Sequence, residues 1–214
     1  MRLLLLPALA AAAGIAPRPP CSAPPGILPA VQESMCSVLV APPNAAGVAV
    51  RSYGAPASER LVTDLTPGNF AYGEVLNISL ANIILYFNIA NSAGKNFLAD
   101  RTVPITVRPP GSKEDAWLVS MMVSTAAFPD PQRVPTPNNF EMHLEPVGAR
   151  LFASLAFNTS ALPSEAQFKA ACADLARGVP AGYSIVQEGW SPTFVIYSPA
   201  DAVLFTNECW VEVK

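Results

Sequence analysis

The chain contains a single histidine, His143, and that scarcity closes off much chemistry. A zinc site needs close-spaced Cys and His ligands, yet the four cysteines, Cys21, Cys36, Cys172 and Cys209, form no CxxC pair. A Ser-His-Asp arrangement would have to recruit the one histidine. Ser184, in Gly182-Tyr183-Ser184-Ile185-Val186, lacks the second glycine of a nucleophile elbow. Glycine-rich phosphate loops of the GxxxxGKS/T or GxGxxG type are missing as well. Charge is equally sparse at 14%, against about a quarter in ordinary globular chains. No concentrated basic face is visible, which argues against nucleic acid as a partner. Beyond the first 16 residues no apolar run approaches the roughly 18 residues of a membrane span. These absences point away from an enzyme and from a resident metal, and toward a binding or interaction protein.

What is present is apolar: 51% of the 214 residues are hydrophobic, with 23 prolines. That length supports one domain with a proper core. Met1-Arg2, Leu3 to Leu6, Pro7 and the run Ala8 to Ala16 have the positive start, short apolar core and small-residue exit of a secretory leader. We expect residues 1–16 to be a signal peptide removed after Ala13 or Ala16, and the mature protein to be secreted or lumenal. Cleavage after Ala16 removes Arg2, leaving 12 basic residues against 16 acidic ones, a net charge of −4. An even number of cysteines in an oxidising compartment suggests two disulfides, with three possible connectivities.

Residues 17–46 form a proline-rich N-terminal segment, expected to be extended from Pro17 to Pro25. Val48 to Tyr53 and Glu59 to Leu65 are strand-type runs around Gly54-Ala55-Pro56, which predicts a hairpin. Phe70 to Asn91 carries Leu76, Leu80, Ile83, Ile84 and Phe87 at helical spacing, the longest such signal in the chain. Thr66-Pro67 and Asn69 provide its start, and Asn91, Ser92 and Gly94 its stop. In Arg101 to Val107, Pro104 cannot donate to a ladder, so that strand should lie at an edge or carry a bulge. Ala116 to Thr125 follows with Trp117, Val119, Met121 and Val123 on one face. A connection through Pro129, Pro131, Pro135 and Pro137 reads as an exposed, stiff linker.

The second half repeats the plan. Phe140, Met142 and Leu144 alternate with Glu141, His143 and Glu145, and Leu151, Ala153, Leu155 and Phe157 mark another strand, predicting a second hairpin. Ser164 with Gln167 forms a capping box before Phe168, Ala171, Cys172 and Leu175, and Gly178 ends that helix. Thr193 to Tyr197 and Val203 to Val213 close the chain as a strand pair. Strand, strand, helix, strand, strand is thus written twice, over about 47–127 and 138–214. The predicted fold is α+β: the duplicated units form a curved antiparallel sheet or distorted eight-stranded barrel flanked by two helices. Cys172 lies on the buried stripe of the second helix and Cys209 on the core face of the last strand, so these two should pair, leaving Cys21 with Cys36.

Val50-Arg51-Ser52-Tyr53-Gly54, Tyr86-Phe87, Thr102-Val103-Pro104-Ile105, Tyr197-Ser198-Pro199 and Asn207-Glu208-Cys209-Trp210, in this order and spacing, resemble the SOUL haem-binding protein family over roughly Val48 to Val213. The resemblance implies a duplicated barrel-like sheet with two helices, and binding of haem or a related tetrapyrrole without enzymatic chemistry. Ser52 stands where some members have the histidine proposed as iron ligand, so an axial ligand is not expected. A porphyrin is a flat apolar plate with two carboxylates. Leu80, Ile84 and Phe87 are the candidate wall, with Arg51, Lys95 or Arg101 at the rim. His143, between Glu141 and Glu145, is expected to be solvated. The alternative is an extracellular carrier of another apolar small molecule, or an interaction module retaining only the fold. Asn77-Ile78-Ser79 and Asn158-Thr159-Ser160 match the N-glycosylation sequon, with Asn158 expected in a turn and Asn77 on the first helix.

Overall fold

The computed structural model describes residues 37–53, 60–97, 101–111, 115–123, 128, 130–146, 148, 150–186, 192–197 and 205–214. The leader, Cys21 and Cys36 lie outside the described residues, as does the side chain of Arg101. Nine strands form one open antiparallel sheet: β1 (Ser37–Ala41), β2 (Val48–Tyr53), β3 (Arg60–Pro67), β4 (Arg101–Arg108), β5 (Ala116–Val123), β6 (Met142–Pro146), β7 (Arg150–Thr159), β8 (Thr193–Tyr197) and β9 (Phe205–Val213). Two helices accompany them, α1 (Tyr72–Asn88) and α2 (Glu165–Gly178). The α+β class, the curved sheet and the two flanking helices are as the sequence predicts; β1, inside the proline-rich segment, is additional.

The strand order β1-β2-β7-β9-β8-β4-β5-β3-β6 shows how the halves combine. Without β1 the order reads the same from both ends when β2, β3, β4 and β5 are exchanged for β6, β7, β8 and β9. The centre is the β4–β8 pair, where Thr106 faces Val195. The first strand of each half is given to the other half: β2 pairs with β7, and β6 with β3. Neither expected hairpin therefore forms. β2 does not pair with β3, nor β6 with β7, because each short first strand finds its partner across the pseudo-twofold. Pro104 sits at a register shift inside β4, between two partner strands. The bulge accommodates the missing donor, and no edge is needed.

α1 packs on β3 and β5, and α2 on β7 and β9, both on the same face of the sheet. The buried side of α1 is Tyr72, Val75, Leu76, Ser79, Ile83, Tyr86 and Phe87. Ile84 is turned outward, contrary to the expected stripe. The seam runs instead through Ser79 and Tyr86, whose hydroxyls are satisfied within the core: Ser79 Oγ lies 2.9 Å from Thr66 Oγ1, and the Tyr86 hydroxyl donates to the Pro135 carbonyl at 2.7 Å. Glu74, rather than Asn69, serves the helix start, accepting from the Ala71 N–H at 3.0 Å. At the other end the buried Asn91 amide donates to the carbonyls of Tyr86 and Lys95, both at 2.8 Å. α2 begins with the expected capping box, Ser164 N–H to Gln167 Oε1 at 2.8 Å and Gln167 N–H to Ser164 Oγ at 3.3 Å. A Cβ on Gly178 would lie 2.8 Å from a methyl of Val48, so only glycine allows the end of α2 to meet β2.

The middle connection is not an exposed linker. Val134 and Pro135 are buried, Pro131–Arg133 forms a short 3-10 turn, and Pro137 bridges to Asn91. The Pro135 carbonyl receives the Tyr86 phenol of α1, which ties the connection down. Phe140, expected on the inward face of β6, precedes that strand and is 94% exposed. Cys172 and Cys209 are joined by a disulfide that fastens α2 to β9.

Candidate functional site

The helix-covered side, where the sequence places an apolar wall for a ligand, carries a packed aromatic core. Phe87 is fully buried and meets Tyr86 and Phe97 edge-on, with ring centroids 5.3 and 5.4 Å apart, and Phe97 meets Phe128 at 5.1 Å. Leu80 is half-buried against the same core. Ile84 points to solvent, and Lys95 is exposed in the turn after α1. Arg51 belongs to neither group, since it lies on the opposite face of the sheet. Of the six residues proposed together as wall and rim, Arg101 has its side chain outside the described residues, and the other five are not all brought together.

A second aromatic cluster joins the helices. Tyr72 of α1 lies within 5.9 to 6.2 Å of Trp117, Phe168 and Phe194, and Phe168 stacks on Phe194 at 4.7 Å. The Tyr72 hydroxyl is buried with no hydrogen-bond partner among the described residues. Burial first, and the Glu165 carboxylate second, push its pKa far above the ordinary value.

The other face of the sheet carries different chemistry. In β9, Asn207, Cys209, Val211 and Val213 turn toward the helices, so alternation sends Glu208, Trp210 and Glu212 to the opposite side. The neighbouring strands add Phe152 and Ser154 from β7, Arg51 from β2, and Val195 and Tyr197 from β8. Met122, Val195, Tyr197 and Trp210 form a buried apolar cluster here, with Leu61 and Phe152 beside it. Neither helix packs on this side. Within the cluster Glu208 is 1% exposed. Its Oε2 accepts from the Trp210 indole N–H at 2.7 Å and the Tyr197 hydroxyl at 3.0 Å, and its Oε1 lies 3.8 Å from Arg51 Nη2. A carboxylate taken out of water costs several kcal/mol, of order, unless donors and a counter-charge replace the lost hydration. Here two donors and one cation do so.

Toward the β6 edge the same face holds a second polar group. Thr63 Oγ1 lies 2.8 Å from Ser120 Oγ and donates to Glu145 Oε1 at 3.0 Å, and Arg108 reaches that oxygen at 3.2 Å. His143, beside Thr63 in the ladder, is exposed. Arg150 and Glu212 form a further pair at 3.8 Å. Among the described residues no group of three His, Cys, Asp or Glu side chains could hold a metal ion.

No protein-family model and no curated protein matches the chain. Among solved structures it is similar to the crystal structure of EcmrR C-terminal domain, with a TM-score of 0.47, 11% identity, and coverage of 78% of this chain and 96% of that one.

Glu208, Trp210 and Tyr197 stand within the motifs that carry the SOUL resemblance, yet sequence reasoning did not select them as a site. The signal was the phase of β9. Once Cys209, Val211 and Val213 are assigned to the core face, a glutamate and a tryptophan two residues apart must share the other face. Asn158 is exposed but lies in β7, opposite Thr206, rather than in a turn. Asn77 is exposed on α1.

Proposed function

We propose that the protein is an exported, non-enzymatic binding protein of SOUL type that takes haem or a related tetrapyrrole through apolar contact, without a strong axial ligand. The ligand would be met by the face opposite α1 and α2, where Leu61 and Phe152 are only partly buried beside Trp210. One observation supports this choice above the rest: a buried carboxylate held by a tryptophan, a tyrosine and an arginine, on the side of the sheet opposite α1 and α2. Buried charge with aromatic surroundings is a recurring property of ligand sites. The disulfide between Cys172 and Cys209 supports an oxidising compartment. Among the described residues no helix is long and apolar enough to cross a membrane.

Haem titration followed by absorbance and tryptophan fluorescence tests the proposal. A shifted Soret band, with quenching that is reduced in Trp210→Phe, is the expected result. Replacing an aromatic contact worth about 1 kcal/mol should weaken binding by roughly fivefold to tenfold. His143→Ala should bind as the parent does. A free-haem spectrum throughout would remove tetrapyrrole binding.

A second reading has its own support. Arg51, Arg108 and Arg150 on this face each lie beside a carboxylate, so the cations that two propionates would need are already paired. That pattern favours an uncharged apolar ligand, and native mass spectrometry of the secreted protein would reveal one.

A further inference from the structure

The outer face of α1 gathers four of the exposed large hydrophobic side chains among the described residues. Ile78, Ile84, Leu85 and Ile89 are 39, 42, 50 and 61% exposed, and Ala81 lies among them. The single charged residue of the helix is Glu74, in its first turn. Neutral Asn77 and Asn88 are the polar members of the face. A lipid surface is poorly matched, since interfacial helices use basic residues on their polar side, and α1 has none. A second copy would form only a weak, concentration-dependent contact here, because four aliphatic side chains, each roughly half exposed, fall well short of the roughly 800 Å² per partner of a stable interface.

The face does contain its own acceptor for a covering group. Asn77 heads the sequon Asn77-Ile78-Ser79, and its side chain is exposed one residue before Ile78 and one helical turn before Ala81. We infer that Asn77 carries an N-linked glycan whose first sugars lie along Ile78, Ala81 and Ile84 and keep this helix face from self-association. The inference rests on the export reading. In the reaction a lipid-linked oligosaccharyl diphosphate of the secretory lumen is the donor: the bond from sugar C1 to the diphosphate oxygen breaks, a C1–Nδ2 bond to Asn77 forms, one amide proton is released, and the lipid diphosphate leaves. In the folded protein Ser79 is fully buried with its hydroxyl against Thr66. The sugar must therefore be added before α1 docks, as happens when transfer precedes folding.

The full chain expressed in a eukaryotic secretory host decides the matter. Peptide mapping with and without peptide-N-glycosidase should find Asn77 modified, and Asn77→Gln should migrate one glycan step faster than the parent. Sedimentation should then show concentration-dependent association in Asn77→Gln and in the enzymatically deglycosylated protein, and none in the glycosylated parent. A secreted protein with unmodified Asn77 overturns the inference while leaving export standing, most clearly if Asn158 is modified in the same sample. A chain retained in the cytosol overturns both. Deglycosylated protein that stays monomeric overturns the shielding role.

Discussion

The Trp210 indole donates to the carboxylate of Glu208, two residues earlier on the same strand, at 2.7 Å. A bond between side chains at i and i+2 of a strand is possible only because both project from one face, and it binds the helix-free side of β9 to itself. Tyr197 of β8 and Arg51 of β2 complete the enclosure of the carboxylate, so four residues from three strands depend on one another.

Glu208→Ala should therefore be among the most destabilising single changes on this side. It removes the counter-charge beside buried Arg51 and the acceptor of two buried donors, a loss of about 3 to 5 kcal/mol. Glu208→Gln, which keeps an acceptor, should lose less. Combining Arg51→Met with Glu208→Gln should recover part of the stability of the alanine variant. Urea denaturation of the variants checks the order; equal stability of Glu208→Ala and the parent would show that the cluster contributes nothing.

Phe87→Ala separates fold from site. It empties a position enclosed by Tyr86 and Phe97 and should cost about 3 to 5 kcal/mol, yet any haem affinity measured on the folded fraction should stay within about twofold of the parent. A large loss of affinity would return the site to the helix-covered side.

The tyrosines predict an alkaline transition. Tyr86 and Tyr72 are buried, and burial raises both phenols above the ordinary value of 10.0. Their folded-state pKa exceeds the unfolded one, so their contribution to stability is complete below the unfolded value and is lost as pH rises through the folded value. Spectrophotometric titration should show these two phenols ionising only together with unfolding. Tyr86→Phe, which removes the bond to the Pro135 carbonyl, should cost about 1 kcal/mol at neutral pH.

The disulfide closes a loop with a sequence separation of 37 residues. On the chain-entropy argument, Cys172→Ser with Cys209→Ser should lower stability by about 4 kcal/mol. Guanidinium denaturation of that variant should show an earlier midpoint. An unchanged midpoint would mean that the unfolded chain is already confined around these positions.

Periodicity and order were legible, and partners in space were not. α1, α2, the strand sequence of both halves and the Cys172–Cys209 link follow from spacing and phase, which are local properties. The two hairpins fail because a turn signal such as Gly54-Ala55-Pro56 reports only that a strand ends, not which strand lies beside it. Helical spacing alone puts Ile84 on the apolar stripe, and only tertiary structure supplies the Thr66 hydroxyl and Pro135 carbonyl that let Ser79 and Tyr86 be buried instead. The proline connection reads as exposed for a similar reason: only tertiary structure shows that α1 uses the Pro135 carbonyl. The Glu208 cluster needed residues from three strands, and Arg51 lies more than 140 positions away from the other members.

The exchange of β2 and β6 between halves means that either half alone would leave a strand without its neighbour. Two identical copies of one half, however, could satisfy each other by trading first strands. The architecture is thus that of an intertwined homodimer whose subunits have been fused, and the proline connection, anchored at buried Val134 and Pro135, is the splice. Separately expressed halves should accordingly be poor folders apart and should assemble when mixed, with cooperativity that spans both pieces rather than residing in either.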